Sequence, residues 1–215
     1  MKIGMISDIH GHLAPLEAAL KLFDEKGVDH IICAGDIADG ADNGDAVVAL
    51  LRERNIPCVQ GNHDRDAFRD QSELRRRMRH NSETTHPLLL SAATVAYLSA
   101  LPLMQTFNWA DRTIYMAHGT PGSNQHYLFA DASGDRFREA AMQTDADIIV
   151  LGHTHQPMCV RVGHQWLLNP GAVSYNRFDD APTRTCGVLH LPDVRFEVFD
   201  VDTGALHPLE TRHIQ

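Results

Sequence analysis

Seven side chains in this sequence have the types and the setting to hold cations: Asp8, His10, Asp36, Asn62, His118, His153 and His155. They fall in short polar blocks: Ser7-Asp8-Ile9-His10, Gly35-Asp36, Gly61-Asn62-His63-Asp64, His118-Gly119 and Gly152-His153-Thr154-His155. Together they offer two carboxylates, four imidazoles and an amide oxygen. That is more than one tetrahedral ion takes, and it suits two divalent ions sharing a carboxylate. Nitrogen and oxygen donors without thiolate favour Mn, Fe, Zn, Co or Ni over Mg or Ca. Two ions ~3.5–4 Å apart can clamp the attacking and leaving oxygens of a phosphoryl displacement. A cap or a turn accounts for any one of these residues alone, but not for the set.

The elements that must position them are short. Lys2–Ser7, His30–Ala34 and Ile56–Gln60 read as strands, separated by helices at Leu13–Lys26, closed by Gly27, and at Asp45–Arg54. This alternation implies parallel strands with right-handed crossovers. Residues 65–108 read as mostly helical, with a charged part (Ala67–His80) and an apolar part (Leu88–Leu101). Strands return at Thr113–Ala117 and Asp147–Leu151, around a helix at Gly134–Gln143. The runs Met158–Val162, Gln165–Leu168, Thr185–Leu191 and Arg195–Val201 read as antiparallel strands joined by turns. The expectation is an α/β protein with a two-layered core whose second half is β-rich. Every polar block follows a strand, so the ligands gather at the carboxyl ends, where open α/β sheets bind.

The blocks resemble the calcineurin-like metallophosphoesterases: DxH, GD, GNH(D/E), a lone His before Gly, and GHxH, in family order with no ligand replaced. Asn169-Pro170-Gly171-Ala172-Val173 resembles the NPG turn of the small prokaryotic members, so the resemblance spans residues 3–176. It implies one domain over 1–215, a two-layered β-sandwich core flanked by helices, with 65–108 as a helical, cap-like insertion. It implies two divalent ions, with Mn the leading choice. Asp8, His10, Asp36 and His155 would hold one and Asp36, Asn62, His118 and His153 the other. A metal-held hydroxide would attack phosphorus in line. His63 would protonate the leaving oxygen or contact the phosphate, with Asp64 orienting it, although a purely structural His63 stays open.

Other features bear on the substrate. Arg75, Arg76, Arg77, Arg79 and His80 form the one positive cluster. It reads as a solvated helix face, with a phosphate-binding lid, Arg76 its candidate contact, as the other reading. The loop Gly119–Tyr127 directly follows His118, which makes His126 and Tyr127 candidate substrate contacts beside Asn62 and His63. His12 reads as a solvated residue at a helix start. Leu88–Leu101 reads as core packing.

Composition limits the partners. The net charge of −9 over 215 residues argues against general nucleic-acid or anionic-membrane attraction. No apolar run nears the ~18 residues of a membrane span, and the start MKIGMISDIHGH lacks a leader's apolar stretch. Cys33, Cys58, Cys159 and Cys186 form no CxxC pair and read as buried thiols in a reducing cytoplasm. The expected activity is phosphoester hydrolysis on a small phosphorylated substrate or nucleotide, with a phosphodiester favoured. Protein phosphatase and dinucleotide tetraphosphatase are alternatives, and a non-catalytic scaffold of the same fold is a remote one. The HxHxDH block of the metallo-β-lactamase fold is absent.

Overall fold

The computed structural model describes residues 1–39, 41, 43–84, 86–175 and 183–215. In chain order the elements are β1 (Lys2–Ile6), α1 (Leu13–Lys26), β2 (His30–Cys33), α2 (Gly44–Glu53), α3 (Asn62–His80), α4 (Ala92–Ala100), β3 (Met104–Trp109) and β4 (Arg112–Ala117). They continue with α5 (Gly134–Ala141), β5 (Ile148–Val150), β6 (Pro157–Val162), β7 (Gln165–Pro170), β8 (Thr185–His190), β9 (Arg195–Asp200), β10 (Leu206–His207) and β11 (Thr211–Ile214).

The strands form two sheets, ordered β10-β9-β8-β1-β2 and β11-β6-β7-β5-β4-β3. Alternation along β1 explains why they stack. Ile3 and Met5 point inward with Ile32 against Ile114, Met116, Ile148, Val150 and Leu168 of the other sheet. Ile6 turns outward into a cluster with Leu16, Leu20 and Phe23 of α1 and Val47 and Leu51 of α2. Gly4 shares that outer face. A Cβ there would stand 2.8 Å from the Phe23 ring, so the missing side chain sets how closely α1 packs. On the far side, α5 lays Phe137, Ala140 and Ala141 over Ile149, Leu151 and Leu167. The result is the expected mixed α/β architecture of two packed sheets covered by helices.

Several local expectations change. Ile56–Gln60 is not a full strand: it makes a single parallel bridge, Cys58 with Cys33, at the edge of β2. The stretch 65–108 is not helical throughout. Its helices are α3 and α4, and 104–109 is β3, paired antiparallel with β4. In β3, Phe107 and Trp109 share one face and pack toward the inter-sheet core, a period of two rather than a helical one. Thr85, inside that stretch, lies outside the described residues. The second half is not purely antiparallel either. β7 runs parallel to β5, and the final strand β11 runs parallel to β6. No helix among the described residues is long and apolar enough to cross a membrane.

Candidate metal centre

Glycine-hinged loops at the carboxyl ends of β1, β2, β4 and β5 are laced together by main-chain hydrogen bonds. Asp8 donates to Gly35 at 2.9 Å, His10 to Asp36 at 3.0 Å and Gly152 to His118 at 2.8 Å. Holding so many side chains toward one point forces the backbone. Asp8, His10, Asp36, His153 and His155 all have left-handed φ, between 48° and 68°. Such conformations cost on the order of 1 kcal/mol or more each in a non-glycine residue, and they gather at functional sites. The NPG turn buttresses the arrangement. Asn169, wholly buried, donates to the Gly152 carbonyl at 2.7 Å and to the Thr154 hydroxyl at 3.2 Å.

The side chains fall into two triads, Asp8-His10-His155 and Asp36-His118-His153. In each, one ligand atom per residue lies within 4.8 Å of the others. Main-chain carbonyls fix the rings. Nδ1 of His10 faces the Asp39 carbonyl at 2.8 Å, Nδ1 of His118 faces Ala34 at 2.7 Å and Nδ1 of His155 faces Tyr175 at 2.9 Å. In His153 it is Nε2 that faces a carbonyl, Gln125, at 3.1 Å. With the carbonyl-facing nitrogen as the donor, the first three rings offer Nε2 and His153 offers Nδ1.

The arrangement of these atoms fits cations. Nε2 of His10 and Nε2 of His155 stand 3.2 Å apart. Asp8 Oδ1, 3.2 Å from His155 Nε2, is buried and accepts no hydrogen bond, while Oδ2 takes the Ser7 hydroxyl at 2.6 Å and the His153 amide at 3.0 Å. Facing lone pairs and an orphaned carboxylate oxygen are reconciled by a shared positive ion. Asp36 links the triads. Its Oδ2 lies 3.2 Å from His118 Nε2 and 3.7 Å from His10 Nε2, and its Oδ1 accepts from the His63 amide at 3.0 Å. Asn62 Oδ1 joins the second triad, 3.2 Å from His118 Nε2. Gly61 is required here, because a Cβ would collide with the Asp36 carboxylate.

Burial and opposite charge pull the titrations apart. Burial alone would raise Asp36, but His118 beside it holds its carboxyl well below the usual range. His118 is the converse: burial lowers it, and Asp36 overrides burial and lifts it to about 10. Burial likewise works against the charged form of Asp8, outweighed by His155 and His118, so its carboxyl stays below its ordinary value. Burial dominates His10 and His153, which fall to about 4 and present neutral, metal-ready rings.

The remaining candidates separate. His63 stands beside the first triad, its ring edge-on to His10 with centroids 5.1 Å apart. Asp64 does not orient it. The Asp64 carboxylate is buried and spent on backbone amides, taking Asp36 and Gly61 on Oδ2 and Ile37 on Oδ1, each at 2.9 Å. Burial, then repulsion from Asp36, raises it to about 7. Asp39 is what meets His63, with Oδ2 2.6 Å from Nδ1. Sequence reasoning missed Asp39, although an acid three residues past Asp36 in a strand-end loop was the available signal. Tyr127 does reach the site, its ring on that of His153, whereas His126 is exposed and carries no described side-chain contact there. Arg76 is turned elsewhere. It sits fourteen residues past Asn62, ~21 Å along the helix at 1.5 Å per residue, paired with Glu73 at 2.7 Å.

Known proteins share this frame. Residues 1–193 match the family model described as the calcineurin-like phosphoesterase superfamily domain. An uncharacterised protein of Methanocaldococcus jannaschii is 28% identical over 174 residues, covering 80% of this chain and 69% of its own. Phosphodiesterase YfcE of Escherichia coli strain K12 is 26% identical over 184 residues, 81% of this chain and 80% of its own. The crystal structure of a metallophosphoesterase from Sphaerobacter thermophilus superposes with a TM-score of 0.72 at 27% identity, over 93% of this chain and 89% of that one. With the family matched over most of its length and two triads shaped for divalent cations, the chain belongs to the calcineurin-like phosphoesterase superfamily and is a metal-dependent phosphoric ester hydrolase.

Proposed function

We infer that the chain hydrolyses a phosphodiester in a small phosphorylated substrate or nucleotide, in the cytoplasm, with two divalent transition-metal ions, Mn first among them. The observation that carries this reading is Asp36 Oδ2, within 3.7 Å of an imidazole nitrogen from each triad. Asp8, His10 and His155 would hold one ion, Asn62, His118 and His153 the other, and Asp36 both. The ions, when bound, would neutralise charge on the phosphoryl oxygens and lower the pKa of the attacking water. The protein's own part is to fix the ring orientations through the four main-chain carbonyls and to hold His63. The Asp39 carboxylate on Nδ1 orients that ring and assigns Nε2 the transfer of a proton to the leaving oxygen. Two features support the diester. A dianionic monoester asks for additional positive charge, yet in the arginine cluster of α3 Arg76 is paired with Glu73 and Arg75 with the Leu90 carbonyl. A relative at 26% identity is named a phosphodiesterase. Four buried free cysteines suit a reducing compartment.

The test is a hydrolysis series in Mn²⁺ with bis-nitrophenyl phosphate, nitrophenyl phosphate and a dinucleotide polyphosphate, before and after ion stripping. The diester should be the best substrate, and stripping should abolish turnover. Undiminished activity in protein verified ion-free by elemental analysis would end the metal mechanism. A clear preference for the monoester or the polyphosphate would reverse the substrate assignment.

A further inference from the structure

The chain after the His118 loop holds an aromatic clip that the chemistry above leaves unused. Leu128 is buried among Ala117, Phe137 and Leu151. Tyr127 and Phe129 on either side of it stack on one another, with centroids 5.4 Å apart and planes 8° apart. The Tyr127 ring also lies nearly flat on the His153 imidazole, with centroids 3.7 Å apart and an angle of 16°. Its carbonyl accepts from Arg136 at 2.6 Å. The ring is thus held from the core side through Leu128, through its backbone and against Phe129.

The four imidazoles of the triads differ in what confines them. His10, His118 and His155 are at most 3% exposed and enclosed by the strand-end loops. His153 is also buried, at 6%, with the His118 ring tilted against it at 4.9 Å. Its one described ring hydrogen bond, however, goes to the Gln125 carbonyl of the loop after His118, and the ring lying flat on it is a tyrosine that is itself 45% exposed. The torsion about an imidazole's Cβ–Cγ bond is broad, so one hydrogen bond does not fix a ring. A flat aromatic neighbour removes the remaining pivot. Its electron-rich face also suits an imidazole that shares positive charge with a bound ion.

We propose that Tyr127 is a positioning residue of the metal centre: its ring, stacked on His153, holds that imidazole with Nδ1 turned to the second ion. The role belongs to the planar face and not to the hydroxyl, and it acts on the second triad alone. It rests on the two-ion reading above. The experiment is calorimetric titration of ion-stripped protein with Mn²⁺, alongside melting temperatures. Wild type and Tyr127→Phe should show the same two binding events. Tyr127→Ala should keep one event unchanged and weaken the other by about 10–100-fold, the usual effect of losing support behind a ligand. Tyr127→Leu, which keeps the apolar bulk and should melt like wild type, should show the same selective weakening. Unchanged affinity at both sites in the Ala and Leu variants, or equal weakening at both, would overturn the proposal. So would a variant that binds both ions normally and only raises KM, which would make Tyr127 a substrate contact. Wild type taking up a single ion would instead overturn the two-ion reading, and the selective effect with it.

Discussion

At its first turn, α3 carries Asn62, His63 and Asp64, each engaged with a strand-end loop: Asn62 with His118, His63 with Asp39, Asp64 with the amides of Asp36, Ile37 and Gly61. Its last turns carry Arg76, Arg77, Arg79 and His80, where Arg76 pairs with Glu73 three residues back on the same helix. Both ends are dense in polar residues. At the first, the helix abuts loops that supply donors and acceptors from elsewhere in the chain, so each side chain is committed. At the second, the helix still buries Met78, but Arg76, Arg77, Arg79 and His80 lie on its exposed side, where local i,i+3 pairing is what holds Arg76. Charge along a helix therefore says little until the position of its axis against the sheets is known.

The largest effect expected from breaking this contrast is at His63. General acid catalysis typically contributes about 10²–10⁴-fold, and most where the leaving oxygen is basic. His63→Ala should cut kcat/KM by that order on alkyl or nucleoside diesters and little on nitrophenyl diesters, whose leaving group needs no proton. Metal content should be unchanged, because both triads are complete without it. Asp39→Asn should fall on the same leaving-group line with a smaller slope. An equal loss across leaving groups would make His63 a phosphate contact.

Next comes Asp64. Removing its carboxylate leaves three amides at the base of the centre without their acceptor, and an unsatisfied buried group costs about 1–3 kcal/mol. Allowing for water that enters the gap, Asp64→Ala should destabilise by on the order of 3 kcal/mol. In a chain of this size that is a drop of roughly 6–12 °C in Tm. His63→Ala should lower Tm less, since the His63 side chain is 35% exposed and the carboxylate it meets, Asp39, is 41% exposed and can turn to water. Equal melting of the two variants would mean that Asp64 contributes chemistry rather than architecture.

The same contrast shows what could be read in advance. The seven ligand candidates were legible because each sits directly after an apolar run, and runs and blocks are both local in sequence. The two-sheet core was legible for the same reason, through the alternation in β1 and the apolar runs of β4 and β5. What escaped depends on distant neighbours. That Asp39 rather than Asp64 meets His63 follows from the loop after β2 meeting the first turn of α3, 24 residues on in sequence. β3 hid at the end of a helical stretch because its edge position buries only alternate residues, with Phe107 and Trp109 inward and Thr106 and Asn108 exposed. The parallel pairing of β11 with β6 joins segments some fifty residues apart and leaves no local pattern.

The smallest effect should be at Arg76, and a null result there is informative. A lid arginine would have to deliver its guanidinium to phosphate oxygens held between Asp36 and Asn62. Its helix position lies ~21 Å from Asn62 along the axis, at 1.5 Å per residue, and its side chain is 72% exposed. Both of its described bonds, Nε at 2.9 Å and Nη2 at 2.7 Å, go to Glu73. An exposed i,i+3 pair of this kind is screened by water and salt and holds nothing else in place. Its neighbour Arg75 is not equivalent, since it donates to the Leu90 carbonyl at 2.6 Å and ties α3 to the chain entering α4. Arg76→Ala should therefore leave kcat/KM on diesters and monoesters, and Tm, at wild-type values. Its salt dependence should also match wild type, whereas a guanidinium that met substrate would make kcat/KM fall as ionic strength rises and lose that slope on substitution. A selective loss on monoesters in Arg76→Ala would show that α3 bends over the centre during turnover, and the outer end of the helix would then join its first turn as part of the site.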